Sequence, residues 1–448
     1  MHKSNISSEL KEWEKKITQI AKNFGLDFYE VIYEMVSDKE VNQLAALGGF
    51  PKRYPHWRFG MEYNKLSKSY EYGLSKIYEM VINTNPCYAY LLNSNTVLQQ
   101  KLVMAHVLGH SDFFKNNRTF TGTDTNMMDV MANNAERIKS YQSEFGQDTV
   151  EEFLDICLSL DNLLDYRKIG LNKISEVSLG SDSDLSTLPQ RDILCFLIAN
   201  SDLSKWQVDC MQIVRQESYY FAPQMQTKIM NEGWATYWHS KIMTEKIMNV
   251  SEVVDYCCVH GRTVAIQPGS LNPYNLGLEL FRDIEQRWNK GQYGKAWQEC
   301  NDIKSKSNWD TKEMSGMNKI FEVRKSFNDL TFIDNFLTKE FCLRNKLFGF
   351  VKNEKKNNIQ ISTREFKEIK NQLLVQLTNF GAPLIEIIDS NYNQEKELYL
   401  VHSHYQKKPL REDYAMRTLQ NIFSIWKKPI HLQTYKDEKQ ITISYSGK

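Results

Sequence analysis

A mainly α protein in two parts is what this sequence predicts, with a large helical domain over residues 1–350 and a small α/β domain over residues 351–448. Three observations lead there. Apolar residues recur at three- and four-residue spacing through most of the first part, as one buried face of successive helices requires. The stretch VKNEKKNN, residues 351–358, is polar and reads as a linker. Beyond it the apolar period shortens towards two, the spacing of strands. A chain of 448 residues also exceeds what one hydrophobic core ordinarily supports, which favours two units.

The elements follow in order. Ser7 to about Val36 reads as one helix, with Leu10, Trp13, Ile17, Ile20 and Ala21 at helical spacing. GGFPKRYPHWRFGMEY, Gly48–Tyr63, reads as an ordered aromatic loop because of its glycines and prolines. A helix is expected over Leu66–Asn83, a turn at Asn85-Pro86 and a strand at CYAYLL, Cys87–Leu92. Helices follow at Thr96–Lys115, 127–142, 148–166, 188–199, 203–221 and 223–249. Ser181–Pro189 reads as a polar loop, and Pro268–Gly277 as a turn-rich loop leading into a helix over 277–289.

In the second part, IQIS reads as a strand and Arg364–Phe380 as a helix. Leu384–Ile388 and Leu398–His404 alternate like paired strands, Leu410–Trp426 is a helix, and Ile430–Tyr435 and Ile441–Tyr445 are strands. The order β-α-β-β-α-β, with one strand to spare, predicts a ferredoxin-like unit. It offers no nucleophile, metal cluster or glycine-rich phosphate loop, so docking or regulation is its expected role.

Hydrophobic residues at 41% and charged residues at 25% fit a globular rather than a disordered chain. Lys and Arg total 56 against 55 for Asp and Glu, a balance that leaves no global field for nucleic acid or an anionic membrane. No apolar run reaches the length of a membrane span, and MHKSNISSELKEWEKK lacks a signal-peptide core. The eight cysteines form no C-x-x-C pair, and Cys257 and Cys258 are adjacent, too close for an ordinary zinc clip. A reducing, cytoplasmic setting is expected.

The chemistry-bearing residues cluster in two segments. In MAHVLGHSDFF, Met104–Phe114, His106 and His110 lie four apart, which stacks two imidazoles on one helical face as a zinc helix needs. Gly109 hints that another backbone or a ligand comes close, and Asp112 is a carboxylate available to support a ligating histidine. In MNEGWATYWHSKIM, Met230–Met243, Glu232 opens an E-G-W-A run and His239 lies two turns on, near the same face. Trp234 and Trp238 share a face and are expected in the core.

H-x-x-x-H plus a glutamate from a later helix is the gluzincin plan, so the helical domain is expected to be zincin-like, with zinc on His106, His110 and Glu232. In H-E-x-x-H enzymes a glutamate after the first histidine serves as general base. Here Val107 holds that position and cannot accept a proton. A carboxylate from elsewhere (Glu136, Glu217 or Asp112) must then do the work, with His239 expected to stabilise the transition state or position the substrate, or no peptidase chemistry occurs.

Two histidines four apart also arise in helix cores, each simply hydrogen-bonded. His56, His402, His404 and His431 read that way, and His260 is intermediate. Glu62, Glu71, Glu79 and Arg137 fit a cleft lining or a solvated face equally well.

GMEYNKLSKSYEYGLSKIYEMVINTNPCYAYLL, QKLVMAHVLGHSDFFKNN, YYFAPQMQTKIMNEGWATYWHS, LNPYNLGLELFRDIEQRWNKG and NDLTFIDNFLT together resemble signature blocks of the stage V sporulation protein R family. The resemblance spans essentially the whole chain. It implies a role in forming the spore cortex, although relatives also occur in bacteria that make no spores. The family pattern has H-V-x-G-H, so Val107 is no peculiarity of this chain. The chain departs from that pattern at Asn134, where the family tends to A-N-H-A-x-R-I, and at Leu164–Arg167, where it tends to I-D-P-H.

Two functions are therefore expected as alternatives. One is a zinc-dependent hydrolase of peptide or amide bonds, acting on a peptide, a peptidoglycan-related substrate or a spore-assembly protein, with the strand Tyr88–Leu92 offering an edge to an extended peptide. The other is a non-catalytic assembly or regulatory protein with a degenerate or structural metal site.

Overall fold

Ser7 accepts a hydrogen bond from the Leu10 amide and starts α1 (Ser8–Asn23), which buries Leu10, Ile17 and Ala21. Gly25, at φ +92°, takes a left-handed conformation that stops the helix. The expected single helix to Val36 is therefore two elements, because VIYEMV forms a strand, β1 (Val31–Val36). The computed structural model describes residues 4–71, 79–170, 190–353, 358–403, 409–437 and 439–447.

Next come α2 (Asp38–Ala46), α3 (Trp57–Glu71), β2 (Glu79–Ile82) and β3 (Cys87–Leu92). The aromatic loop thus ends at Trp57 rather than Tyr63. Residues 79–82, expected in a helix, are a strand, because their partner β3 lies beyond any local pattern. β3 forms as expected, but it is the centre of the sheet, in the order β1-β3-β2. It pairs in parallel with β1 and antiparallel with β2. Tyr88–Leu92 therefore offers no edge, and β2 is an edge strand among the described residues.

The helical body continues with α4 (Val97–Asn116), α5 (Met127–Phe145), α6 (Gln147–Ser159), α7 (Ile193–Asn200), α8 (Lys205–Gln226), α9 (Lys228–Ile242), α10 (Val253–Thr263) and α11 (Pro273–Asn289). The expected helix over 148–166 stops at Ser159, and that over 223–249 divides at Thr227 between α8 and α9. Ser181–Pro189 and His404 lie outside the described residues. Shorter helices follow: α12 (Gly294–Glu299), α13 (Ile303–Ser307), α14 (Gly316–Ser326), α15 (Asp329–Phe336) and α16 (Lys339–Arg344).

β4 (Gly349–Asn353) and β5 (Asn358–Thr363) form an antiparallel hairpin, so both ends of the expected linker are strand. α17 (Phe366–Leu377), β6 (Ile385–Tyr392), β7 (Glu397–His402), α18 (Glu412–Trp426), β8 (Ile430–Lys436) and β9 (Lys439–Tyr445) complete the chain. The C-terminal sheet runs β6-β7-β8-β9, with β7 and β8 parallel and joined through α18. A ferredoxin-like sheet would need β5 inside it. β5 instead pairs with β4, so the coarse class holds, mainly α with a small C-terminal sheet, while the ferredoxin-like topology is corrected.

One core gathers α1, α4, α9, α11, α14, α15 and α17. A second joins α6, α7 and α8 to the C-terminal sheet and α18 through residues such as Leu154, Phe196, Leu398 and Leu419. No helix among the described residues is long and apolar enough to cross a membrane.

Candidate metal centre

α4 begins with a reciprocal capping box, in which Thr96 receives the Gln99 amide and Gln99 receives the Thr96 amide. From Gln100 to Phe114 every residue is buried, so α4 is a central helix wrapped on all sides. α9 packs antiparallel against it. Three rungs fix their register. His110 Nδ1 meets Asn231 Oδ1 at 2.9 Å, Gly109 lies against Ala235, and His106 Nδ1 meets His239 Nδ1 at 2.9 Å.

Close approach is what the small residues permit. A Cβ on Gly109 would stand 2.7 Å from Ala235 Cα. On the opposite side of α9, a Cβ on Gly233 would stand 2.4 Å from Gly277 Cα of α11. The E-G-W-A run is thus legible residue by residue. Glu232 faces α4, Gly233 admits α11, Trp234 fills the core and Ala235 admits α4. The Trp234 indole donates to Asp112 Oδ2 at 2.7 Å, and Trp238 is fully buried.

His106, His110 and Glu232 come together as their spacing suggests, with ligand atoms within 4.8 Å of one another. Glu232 Oε2 lies 3.7 Å from His106 Nε2 and 3.5 Å from His110 Nε2. That oxygen is buried and has no hydrogen-bond partner among the described residues. Burial pushes the Glu232 carboxyl up, but the two histidines outweigh it and hold the group below the usual range. Burial, reinforced by His106, lowers His110 to about 4, so its imidazole is neutral near pH 7.

His106 and His110 each have their second ring nitrogen engaged, the arrangement a metal-bound imidazole would need. Asn231 does this for His110. His239 does it for His106, and its own Nε2 meets His260 Nδ1 at 3.0 Å. Tyr274, in the first turn of α11, stacks on His106 with ring centroids 6.0 Å apart. Burial, then the Glu232 and Glu79 carboxylates, raises the Tyr274 phenol well above its ordinary range. Glu79 of β2 also faces this group. Burial raises its carboxyl, and His106 pulls it the other way. The N-terminus of α9 is held by Asp329, which accepts from the Ile229 and Met230 amides at 2.8 and 2.9 Å.

Other candidates lie elsewhere. Glu136 is exposed on α5. Glu217 is the buried partner of Arg53, with Tyr54 and Asn134 beside it. Asp112 anchors Trp234, the Asp27 amide and Arg324 rather than either histidine, because it lies two residues past His110 and points to another side of α4. The departures from the family pattern are also remote. Asn134 accepts from Arg137, and Arg167 is paired with Asp165. Sequence reasoning named Glu79 only as a possible cleft residue, passed over Tyr274 and Asn231 and gave His260 no partner; Glu79, Tyr274 and His260 each arrive from a separate element, whereas Asn231 lies beside Glu232 on α9 without a motif to mark it.

A family model described as SpoVR like protein matches residues 5–179 and 171–382, and one described as SpoVR-like C-terminal domain matches residues 383–437. The chain belongs to the SpoVR family. This SpoVR-like chain is also similar to an uncharacterized protein, YcgB, of Escherichia coli (strain K12), with 30% identity over 481 residues covering 96% of this chain and 92% of the relative. No solved structure matches it. Membership in a family named for a sporulation protein supports a sporulation-related role.

The donor set fits a metal. Two neutral imidazole nitrogens and one carboxylate oxygen converge, and the unpartnered Glu232 oxygen is the acceptor a cation would satisfy.

Proposed function

We propose that this SpoVR-like protein is a zincin-like, zinc-dependent hydrolase of peptide or amide bonds that works in the cytoplasm. In this reading residues 1–350 carry the metal site and residues 351–448 serve docking or regulation. The observation that carries it is the Glu232 Oε2 atom, buried without a hydrogen-bond partner among the described residues and facing the Nε2 atoms of both His106 and His110 at 3.7 and 3.5 Å. Zinc, held by these three side chains, would polarise a carbonyl and make water a nucleophile near neutral pH.

The chain's own groups supply the rest. Val107 cannot act as base, but Glu79 faces the same centre from β2, and its raised affinity for protons suits a group that accepts one from water and returns it to the leaving amine. Tyr274, kept protonated, donates a hydrogen bond to an oxygen that gains negative charge. Asn231 and His239 hold the two ligand imidazoles in the required tautomers. The edge of β2, unpaired among the described residues, suits an extended peptide or a peptidoglycan stem peptide. A contribution to spore cortex formation follows from the family's name, with a spore-assembly protein as the substrate that a cytoplasmic enzyme reaches most directly.

A second reading rests on Val107. With no base beside the ligand pair, the metal would be structural and the protein a non-catalytic assembly or regulatory factor. The deciding experiment measures zinc content and peptide hydrolysis for untagged wild-type protein and for Glu79→Gln. Zinc retained in both, with hydrolysis lost only in the variant, supports the enzyme. Zinc without hydrolysis in either, across a diverse peptide library, leaves the structural metal.

A further inference from the structure

Cys257 and Cys258 stand side by side on α10, and both are exposed, whereas Cys87, Cys157, Cys195, Cys210 and Cys342 are buried. The helix that presents them also carries His260, the outer end of the chain His260–His239–His106. Its hold on helical form is weak. Val253, Val254, Val259 and Thr263 are β-branched and Gly261 lies near its end, all poor helix formers. Tyr256 is its one buried residue. Asn272 and Asn275 donate to the Thr263 and Val264 carbonyls at its C-terminal end, and the contacts nearer the cysteines are few. Glu252, just before the helix, pairs with buried Lys101 of α4. Tyr256 stacks on His260 with rings 9° apart in plane, and His260 meets His239.

We propose that Cys257 and Cys258 form a vicinal dithiol that hydroperoxides oxidise to a disulfide, unwinding α10 and withdrawing His260 from His239. One thiolate attacks the peroxide oxygen, the O–O bond breaks and a sulfenic acid forms, while hydroxide, or alkoxide from an organic hydroperoxide, leaves and takes up the proton the thiol gave up. The second thiolate attacks the sulfenyl sulfur, the S–S bond forms, and hydroxide leaves to take up a proton. Two thiols lose two electrons and the peroxide gains them.

Geometry supplies the consequence. Consecutive Cα atoms are about 3.8 Å apart, shorter than the roughly 4.4–6.8 Å that disulfides ordinarily span. On a helix, neighbouring side chains also diverge by about 100°. The eight-membered ring therefore closes only when residues 257–258 leave helical dihedrals. The helical hydrogen bonds across them then break, and His260, three residues on, loses its seat. The effect on metal affinity rests on reading His106 as a ligand, whereas the oxidation and the unwinding do not.

The test treats the full chain with hydrogen peroxide and maps disulfides by mass spectrometry. Hydrogen exchange over residues 253–263 and zinc affinity are then compared with those of the reduced protein and of Cys258→Ser. The expected result is a Cys257–Cys258 disulfide, faster exchange across α10 and about ten-fold weaker zinc binding, the scale of losing an outer-shell partner. All three changes should reverse with dithiothreitol and be absent in Cys258→Ser. Over-oxidation of a single cysteine, or intermolecular bridging without the vicinal bond, overturns the proposal. So does a vicinal disulfide with unchanged exchange. If the reduced protein binds no zinc, the metal reading fails by itself and the exchange measurement still decides the dithiol.

Discussion

Gly109 of α4 and Ala235 of α9 are in backbone contact, and a Cβ on the glycine would stand 2.7 Å from Ala235 Cα. The histidine and glutamate side chains meet because these two helices can touch. Gly109→Ala should cost about 1–3 kcal/mol in denaturant unfolding, the usual penalty of overpacking. It should also weaken zinc binding by pushing α9 away. Gly60→Ala is the control. Gly60 sits in α3 with nothing within 4 Å of an added Cβ, and alanine there should be neutral or stabilising by up to about 1 kcal/mol.

Zinc binding should discriminate sharply among histidines. His106→Ala and His110→Ala should abolish it, and Glu232→Gln should weaken it by removing the anionic ligand while keeping the shape. Asn231→Ala should weaken it about 10–100-fold, because His110 then loses the partner that fixes its ring. His431→Ala should leave it intact, since His431 is bonded to Glu397 and Ser444 in the C-terminal sheet. Isothermal titration with zinc on untagged protein reads all five.

Trp234 and Trp238 are both fully buried, packed against each other at 5.5 Å between ring centroids. Truncation of either to alanine should cost about 3–5 kcal/mol. Trp234→Phe should lose less in packing but strand Asp112 without its indole donor. Melting temperatures for the three variants provide the comparison, and unchanged values would contradict the packing described.

Acid should destabilise the metal-free protein through its histidines. Burial lowers His110 to about 4 and also lowers His239, His260 and His56. In the unfolded chain these groups take up protons near their ordinary value of 6.5. As pH falls below 6.5 the unfolded state binds protons that the folded state refuses, so stability is present above that value and is lost towards about pH 4. Asp112 and Asp329, raised by burial to about 6 and about 7, act in the opposite sense, so the histidine part is read by comparison: with a chelator present, the denaturant midpoint of wild type should lose more between pH 6.5 and about 4 than that of His110→Gln. With zinc bound the fall should be steeper, because protons compete for the same nitrogens.

What the sequence made legible was local. The four-residue histidine spacing and the E-G-W-A run each lie within a single helix, where periodicity and small residues carry direct meaning. Gly109 betrayed the close approach of α9 before α9 could be placed. Glu79 was read on a helix because its strand acquires that form only by pairing with β3, a long-range event with no local signature. His260 and Tyr274 reach the centre from α10 and α11 through contacts that spacing cannot encode. The extra strand was visible, but that β5 pairs with β4 rather than entering the C-terminal sheet depends on partner choice, which alternation alone does not specify.

Asp329, which closes the amide end of the helix bearing Glu232, lies 99 and 100 residues beyond the amides it receives. On a ribosome, α4 and α9 emerge long before this clamp exists. The nascent helix pair must wait for the last third of the chain before Glu232 acquires its final position along the helix axis. Synthesis order is thus built into the centre's assembly. A polypeptide that terminates early would contain every proposed metal ligand and still lack the finished site.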